Sequence, residues 1–86
     1  MTPYRVELVR QALKDYQEIA KSEREPVKQA ILRLENNPRG HQVKKLEGRE
    51  YYRLRVGDWR VIFAISDKRN LVTIIAIERR SETTYR

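Results

Sequence analysis

One stretch constrains the fold more than any other: Tyr51 to Ile65, YYRLRVGDWRVIFAI. Apolar and charged residues alternate on both sides of Gly57-Asp58, the mark of two half-buried strands joined by a tight turn. Glycine supplies the positive φ that such a turn needs. With those two residues in the turn, Val56 faces Trp59, Arg55 faces Arg60, Leu54 faces Val61 and Tyr52 faces Phe63. Directly opposed residues share a face of the ribbon. One face therefore collects Tyr52, Leu54, Val56, Trp59, Val61 and Phe63, and reads as core. The other collects Tyr51, Arg53, Arg55 and Arg60.

Like charges opposed across strands cost about 0.2–1 kcal/mol, so stability alone favours Glu or Thr opposite an arginine. Arginines also occur on any solvated strand face. The sharper reading is a surface that a polyanion completes. A bulge in the hairpin would scatter the set.

The chain has 86 residues, 40% hydrophobic and 36% charged, with a net charge of +7. That length suits one domain, residues 1–86, with a modest core. The charge favours an acidic partner such as nucleic acid, an anionic membrane surface or an acidic protein. Cysteine is absent, which leaves no disulfide or thiolate metal site and fits a reducing cytoplasm. The opening, MTPYRVELVRQALKDY, lacks the apolar run of a signal peptide or membrane span.

Taken in order, Tyr4, Val6 and Leu8 alternate with Arg5 and Glu7 as a short strand. Ala12, Leu13, Tyr16, Ile19 and Ala20 follow at helical spacing. Ser22 to Glu25 breaks the pattern, and Pro26 suits the first turn of a second helix carried by Val27, Ala30, Ile31 and Leu34. Asn36-Asn37-Pro38 ends it. Both helices mix charges on their polar faces and carry narrow apolar stripes, which fits packing on a sheet rather than a membrane.

Arg39 to Glu50 reads as a connector with a basic pair, Lys44-Lys45, that fits a phosphate contact and a solvated loop pair equally well. His41 has no second ligand at metal spacing, so neither a metal site nor a cofactor is expected. Ser66 to Asn70 is a polar turn, and Leu71 to Ile77 (LVTIIAI) is apolar on both faces, as in a central strand. The expected fold is a small α+β sandwich, β-α-α-β-β-β, with an antiparallel meander and two helices packed on one sheet face.

The run KKLEG-x-x-YYRLRVGDWRVIFAI, with an arginine-bearing exit strand and a tyrosine near the end, closely resembles the RelE/ParE toxin superfamily over nearly the whole chain. These are the toxin halves of type II toxin–antitoxin pairs. RelE-like members are ribosome-dependent endoribonucleases, whereas ParE-like members poison DNA gyrase. The resemblance places a RelE-type catalytic cluster on Arg53, Arg55, Arg60, Arg79 and Tyr85, with Lys44, Lys45, Tyr51 and Arg80 as further RNA contacts. The spacing of Arg79 and Tyr85 is similar to that of the founding RelE branch and favours the nuclease.

In such cleavage the 2′-oxygen attacks the adjacent phosphorus, and negative charge gathers on the non-bridging oxygens. Guanidinium forks bind that charge. RelE carries lysines where this chain has Arg53 and Arg55, and a guanidinium does not deprotonate at neutral pH. Proton transfer then falls to Tyr85, to the ribosome, or to no residue of this chain. A gyrase poison and a catalytically inactive RNA- or antitoxin-binding relative are the competing readings. The resemblance further implies a small, often acidic antitoxin and the ribosome with its mRNA as partners. No recognition-helix motif supports sequence-specific DNA reading by this chain alone.

Overall fold

The computed structural model describes residues 3–40 and 42–79. The elements run β1 (Arg5–Leu8), α1 (Arg10–Gln17), α2 (Lys21–Arg33), β2 (Val43–Lys45), β3 (Tyr52–Val56), β4 (Trp59–Ser66) and β5 (Leu71–Arg79). The α+β class and the two helices match the sequence expectation. One sheet of five strands holds the order β1-β5-β4-β3-β2. β1 lies parallel to β5, and the remaining pairs are antiparallel.

The β3–β4 hairpin has the register that alternation predicts, from Tyr52 opposite Phe63 to Val56 opposite Trp59. Gly57, at φ 58°, takes the left-handed conformation of its turn. Leu54, Val61 and Phe63 are buried against Ala12, Ile19, Val27, Ala30, Ile31 and Leu34 of the helical layer. The Phe63 ring stacks on Tyr52 with centroids 5.9 Å apart.

β5 shows why LVTIIAI looked apolar on both faces. A bulge shifts the pairing from Ile62–Ala76 to Phe63–Ile74 and leaves Ile75 as the extra residue. Ile74 and Ile77, three apart, thereby both reach the core and are buried. β1 pairs only as far as Ile74, so beyond that point the edge of β5 away from β4 has no strand beside it. Asp15 of α1 closes the gap, its carboxylate accepting the Ile77 N–H at 3.0 Å. Asp15→Ala is expected to cost about 1–3 kcal/mol, because a half-buried N–H loses its only charged acceptor. Chemical denaturation measures this. Gln11→Ala, which removes only an exposed contact to the same carboxylate, is expected to stay within about 0.5 kcal/mol.

Two expectations shift. The second helix begins at Lys21, not after Glu25, so Pro26 lies inside it. The break falls instead at Glu18 to Ala20, where the Arg24 guanidinium donates to the Gln17 and Ile19 carbonyls and lies 5.6 Å from the Tyr16 ring. That capping of the α1 end by a α2 side chain carries no local sequence mark. The connector also contains a strand, β2, whose three residues VKK are too short and too charged to read as one. Lysines on an edge strand discourage pairing with other chains.

Arg39 leaves α2 and forks onto Asp67 in the β4–β5 turn, at 2.9 and 3.0 Å. The Tyr4 hydroxyl donates to the same carboxylate, and Arg39 lies 5.7 Å from the Tyr52 ring. The Arg39 bond, then that of Tyr4, holds the Asp67 carboxyl below its ordinary range. A depressed carboxylate stabilises the fold above its unfolded pKa, and that contribution disappears as pH falls through the lower folded value. The stability advantage of the native chain over Asp67→Asn should therefore be present at neutral pH and shrink toward zero below about pH 4, which thermal melts across pH would show. In the same cluster the Asp67 carboxylate raises the Tyr4 pKa.

Candidate functional site

The helices cover one face of the sheet. On the opposite face, strand alternation lines up cationic side chains across three strands. Lys44 on β2 lies opposite Arg53 on β3, and Arg55 on β3 lies opposite Arg60 on β4. Opposed residues hold their Cβ atoms about 4.5–5.5 Å apart, so these are two adjacent cationic rungs. Among the described residues, no ion pair engages Lys44, Arg53 or Arg55. Gln42, Lys44, Arg53, Arg55 and Gly57 line a shallow depression of about 400 Å³. These bases cluster around a concavity.

Arg60 differs from its neighbours. Its side chain is only 19% exposed, and its guanidinium donates to Glu78 on β5 at 3.0 Å. Glu78 sits directly opposite Arg60 across the β4–β5 pair. Strand alternation in the sequence does not single out Glu78, because the bulge on β5 decides which face it takes.

The structure does not bring Arg79 to this face. Arg79 pairs with Trp59 across the strands, which directs it toward the helices. Its guanidinium lies 5.4 Å from the Trp59 ring and 3.7 Å from Glu23 of α2. The Trp59 indole N–H donates to the same Glu23 carboxylate at 3.0 Å. One acid of α2 thus fastens the open ends of both central strands.

Lys44 and Lys45 likewise part company. Lys45 lies opposite Tyr52, whose ring belongs to the core side, so only Lys44 joins the rungs. Tyr51 is partly exposed beside Arg60. Tyr85, Arg80 and His41 lie outside the described residues.

Among the described residues both helices pack on one face of the sheet and leave the cationic face open, an arrangement of the RelE-like fold class. A chain of the archaeal RelE–RelB complex from Pyrococcus horikoshii OT3 is similar over 95% of this chain and 99% of its own length, at 32% identity and a TM-score of 0.82. Two Escherichia coli structures share the fold. The isolated RelE toxin gives a TM-score of 0.80 at 23% identity, over 94% of this chain and 90% of that one. The toxin of the intact RelBE complex gives 0.76 at 24% identity, over 92% and 98%. No curated protein matched the chain. The family model for the ParE toxin of the type II toxin–antitoxin system parDE matches residues 6–84. The chain belongs to that family, within the RelE/ParE superfamily of type II toxins.

Proposed function

We propose that this toxin is a ribosome-dependent mRNA endoribonuclease acting in the cytoplasm. The observation that carries the reading is the pair of cationic rungs, Lys44–Arg53 and Arg55–Arg60, on the uncovered sheet face. A phosphodiester placed across the second rung meets guanidinium forks from two strands. The 2′-oxygen attacks phosphorus and loses its proton, the bond to the 5′-oxygen breaks, and that oxygen takes a proton from solvent water, leaving a 2′,3′-cyclic phosphate and a 5′-hydroxyl. Arg55 and Arg60 stabilise the charge that builds on the non-bridging oxygens, and Arg60 is held in place for this by Glu78. Lys44 and Arg53 hold the neighbouring backbone. A guanidinium is no base at neutral pH, which removes Arg53, Arg55 and Arg60 from that role. The 2′-proton goes to Tyr85, as the resemblance implies, or to the ribosome. Arg79, engaged by Glu23 and Trp59, serves here as a clamp on the fold.

The partner that the RelE–RelB and RelBE complexes suggest is a small acidic antitoxin, whose encounter the +7 charge accelerates. The ParE description of the matching family favours a second reading, inhibition of DNA gyrase by the same scaffold. Purified toxin with ribosomes and mRNA should give discrete cleavage products, and gyrase supercoiling in a parallel assay should be unaffected. The reverse pattern replaces the nuclease with the gyrase poison. Binding to short single-stranded RNA carries a further expectation. Arg53→Gln and Arg55→Gln should each flatten the plot of log affinity against log salt by about 0.7, one phosphate contact apiece. Unchanged slopes would remove both residues from the backbone contact.

A further inference from the structure

Next to the cationic depression, the same sheet face holds a second one that combines an apolar floor with charges of both signs. Its floor is Ile62 of β4 with Ile75 and Ala76 of β5, and it measures about 530 Å³. Both β5 residues line it because the bulge inserts Ile75. Tyr51, 37% exposed, forms part of the wall. Leu46, Glu47 and Arg49, from the loop after β2, complete the lining with Arg60 and Glu78. The two depressions share one rung: Arg55 lines the first and Arg60, directly opposite, lines the second.

We propose that the second depression is a nucleobase subsite that prefers an amino-bearing base over uracil. The inference rests on the reading of the open face as an RNA site. A single strand whose phosphate lies on the Arg55–Arg60 rung has its adjoining base beside Ile62 and Tyr51. An apolar floor with an aromatic wall accepts the flat face of an unstacked base. Water leaves both surfaces, which neither a phosphate nor a free ion achieves. The Glu47 carboxylate accepts hydrogen bonds and donates none. It therefore suits the exocyclic amino groups of adenine, guanine or cytosine. Uracil turns two carbonyl oxygens flanking a single N–H toward that edge; Glu47 repels them, and a base edge seated on Arg49 instead would favour uracil and reverse the preference.

Fluorescence anisotropy with short 2′-O-methyl oligonucleotides, which cannot be cleaved, tests the subsite. The probes are an all-adenine strand, an all-uracil strand and the matching strand of abasic sugar-phosphate. Adenine should bind about 5- to 100-fold more tightly than the abasic strand, with uracil between them. Tyr51→Ala combined with Ile62→Ser should bring adenine down to the abasic level and leave abasic binding unchanged. Glu47→Gln should narrow the gap between adenine and uracil. Circular dichroism establishes that each variant is folded.

If binding requires Arg55 yet ignores base identity and the Tyr51/Ile62 change, the subsite is overturned and the RNA reading stands. If no strand binds in a manner that Arg55→Ala affects, the RNA reading itself fails and takes the subsite with it. If the double variant keeps the base preference but no longer captures an antitoxin encoded beside the toxin, the depression belongs to the protein partner and the subsite is overturned.

Discussion

Arg60→Ala should slow mRNA cleavage on ribosomes by about 10²–10³-fold, the loss typical of one electrostatic donor removed from a charge-developing transition state. Binding of the intact strand should fall much less, because Lys44, Arg53 and Arg55 retain their phosphate contacts. Arg60→Lys should recover only part of the rate, since an ammonium restores the charge but not the planar fork that meets two oxygens at once. Single-turnover cleavage with saturating ribosomes measures this. The assignment fails if Arg60→Ala cleaves at the native rate, or if the loss lies wholly in binding. Glu78→Gln offers a companion reading. Arg60 keeps its charge but loses the carboxylate across the strand, so the rate should drop while the salt dependence of RNA binding stays nearly constant.

Phe63→Ala should destabilise the fold by about 3–5 kcal/mol, the range for an aromatic ring deleted from a packed core. Phe63 is fully buried at the middle of β4, stacked on Tyr52. Its place lies among Leu54, Val61, Ile74 and the apolar residues of both helices, where strands cannot close over the void without disturbing the sheet. Domains of this size rest on about 5–15 kcal/mol in total, so the variant should melt far earlier and show a much reduced midpoint in urea. Lys28→Ala, on the exposed side of α2, should stay within about 0.5 kcal/mol. A small effect at Phe63 would mean that the core is not centred on the hairpin.

The two expectations bear on opposite faces of the same two strands. Each residue of the β3–β4 hairpin either anchors the helices or faces outward to the open side of the sheet, and alternation leaves no third option. Position and chemistry are therefore coupled. A one-residue slip would bury Arg55 and Arg60 and expose Phe63, which is why the bulge that serves the core sits on β5 rather than inside the hairpin.

The hairpin was legible in the sequence because strand pairing across a two-residue turn is a local event. Gly57-Asp58 sets the register, and the register puts Arg53, Arg55 and Arg60 on one face without reference to the rest of the molecule. The apolar stripes of both helices were legible for the same reason, their period being local. What only the tertiary structure decided depends on contacts between residues far apart in sequence. The bulge at Ile75 changed the face of everything after it, sending Arg79 to Trp59 and Glu23 and bringing Glu78 to Arg60. β2 became a strand only because β3 offered it a partner, and that pairing divided Lys44 from Lys45. Asp15 reached the Ile77 N–H across the sheet edge that β1 leaves open. Turn chemistry and periodicity act over a few residues, whereas the edge of a sheet and the offset of a bulge are set by which strands come to lie side by side.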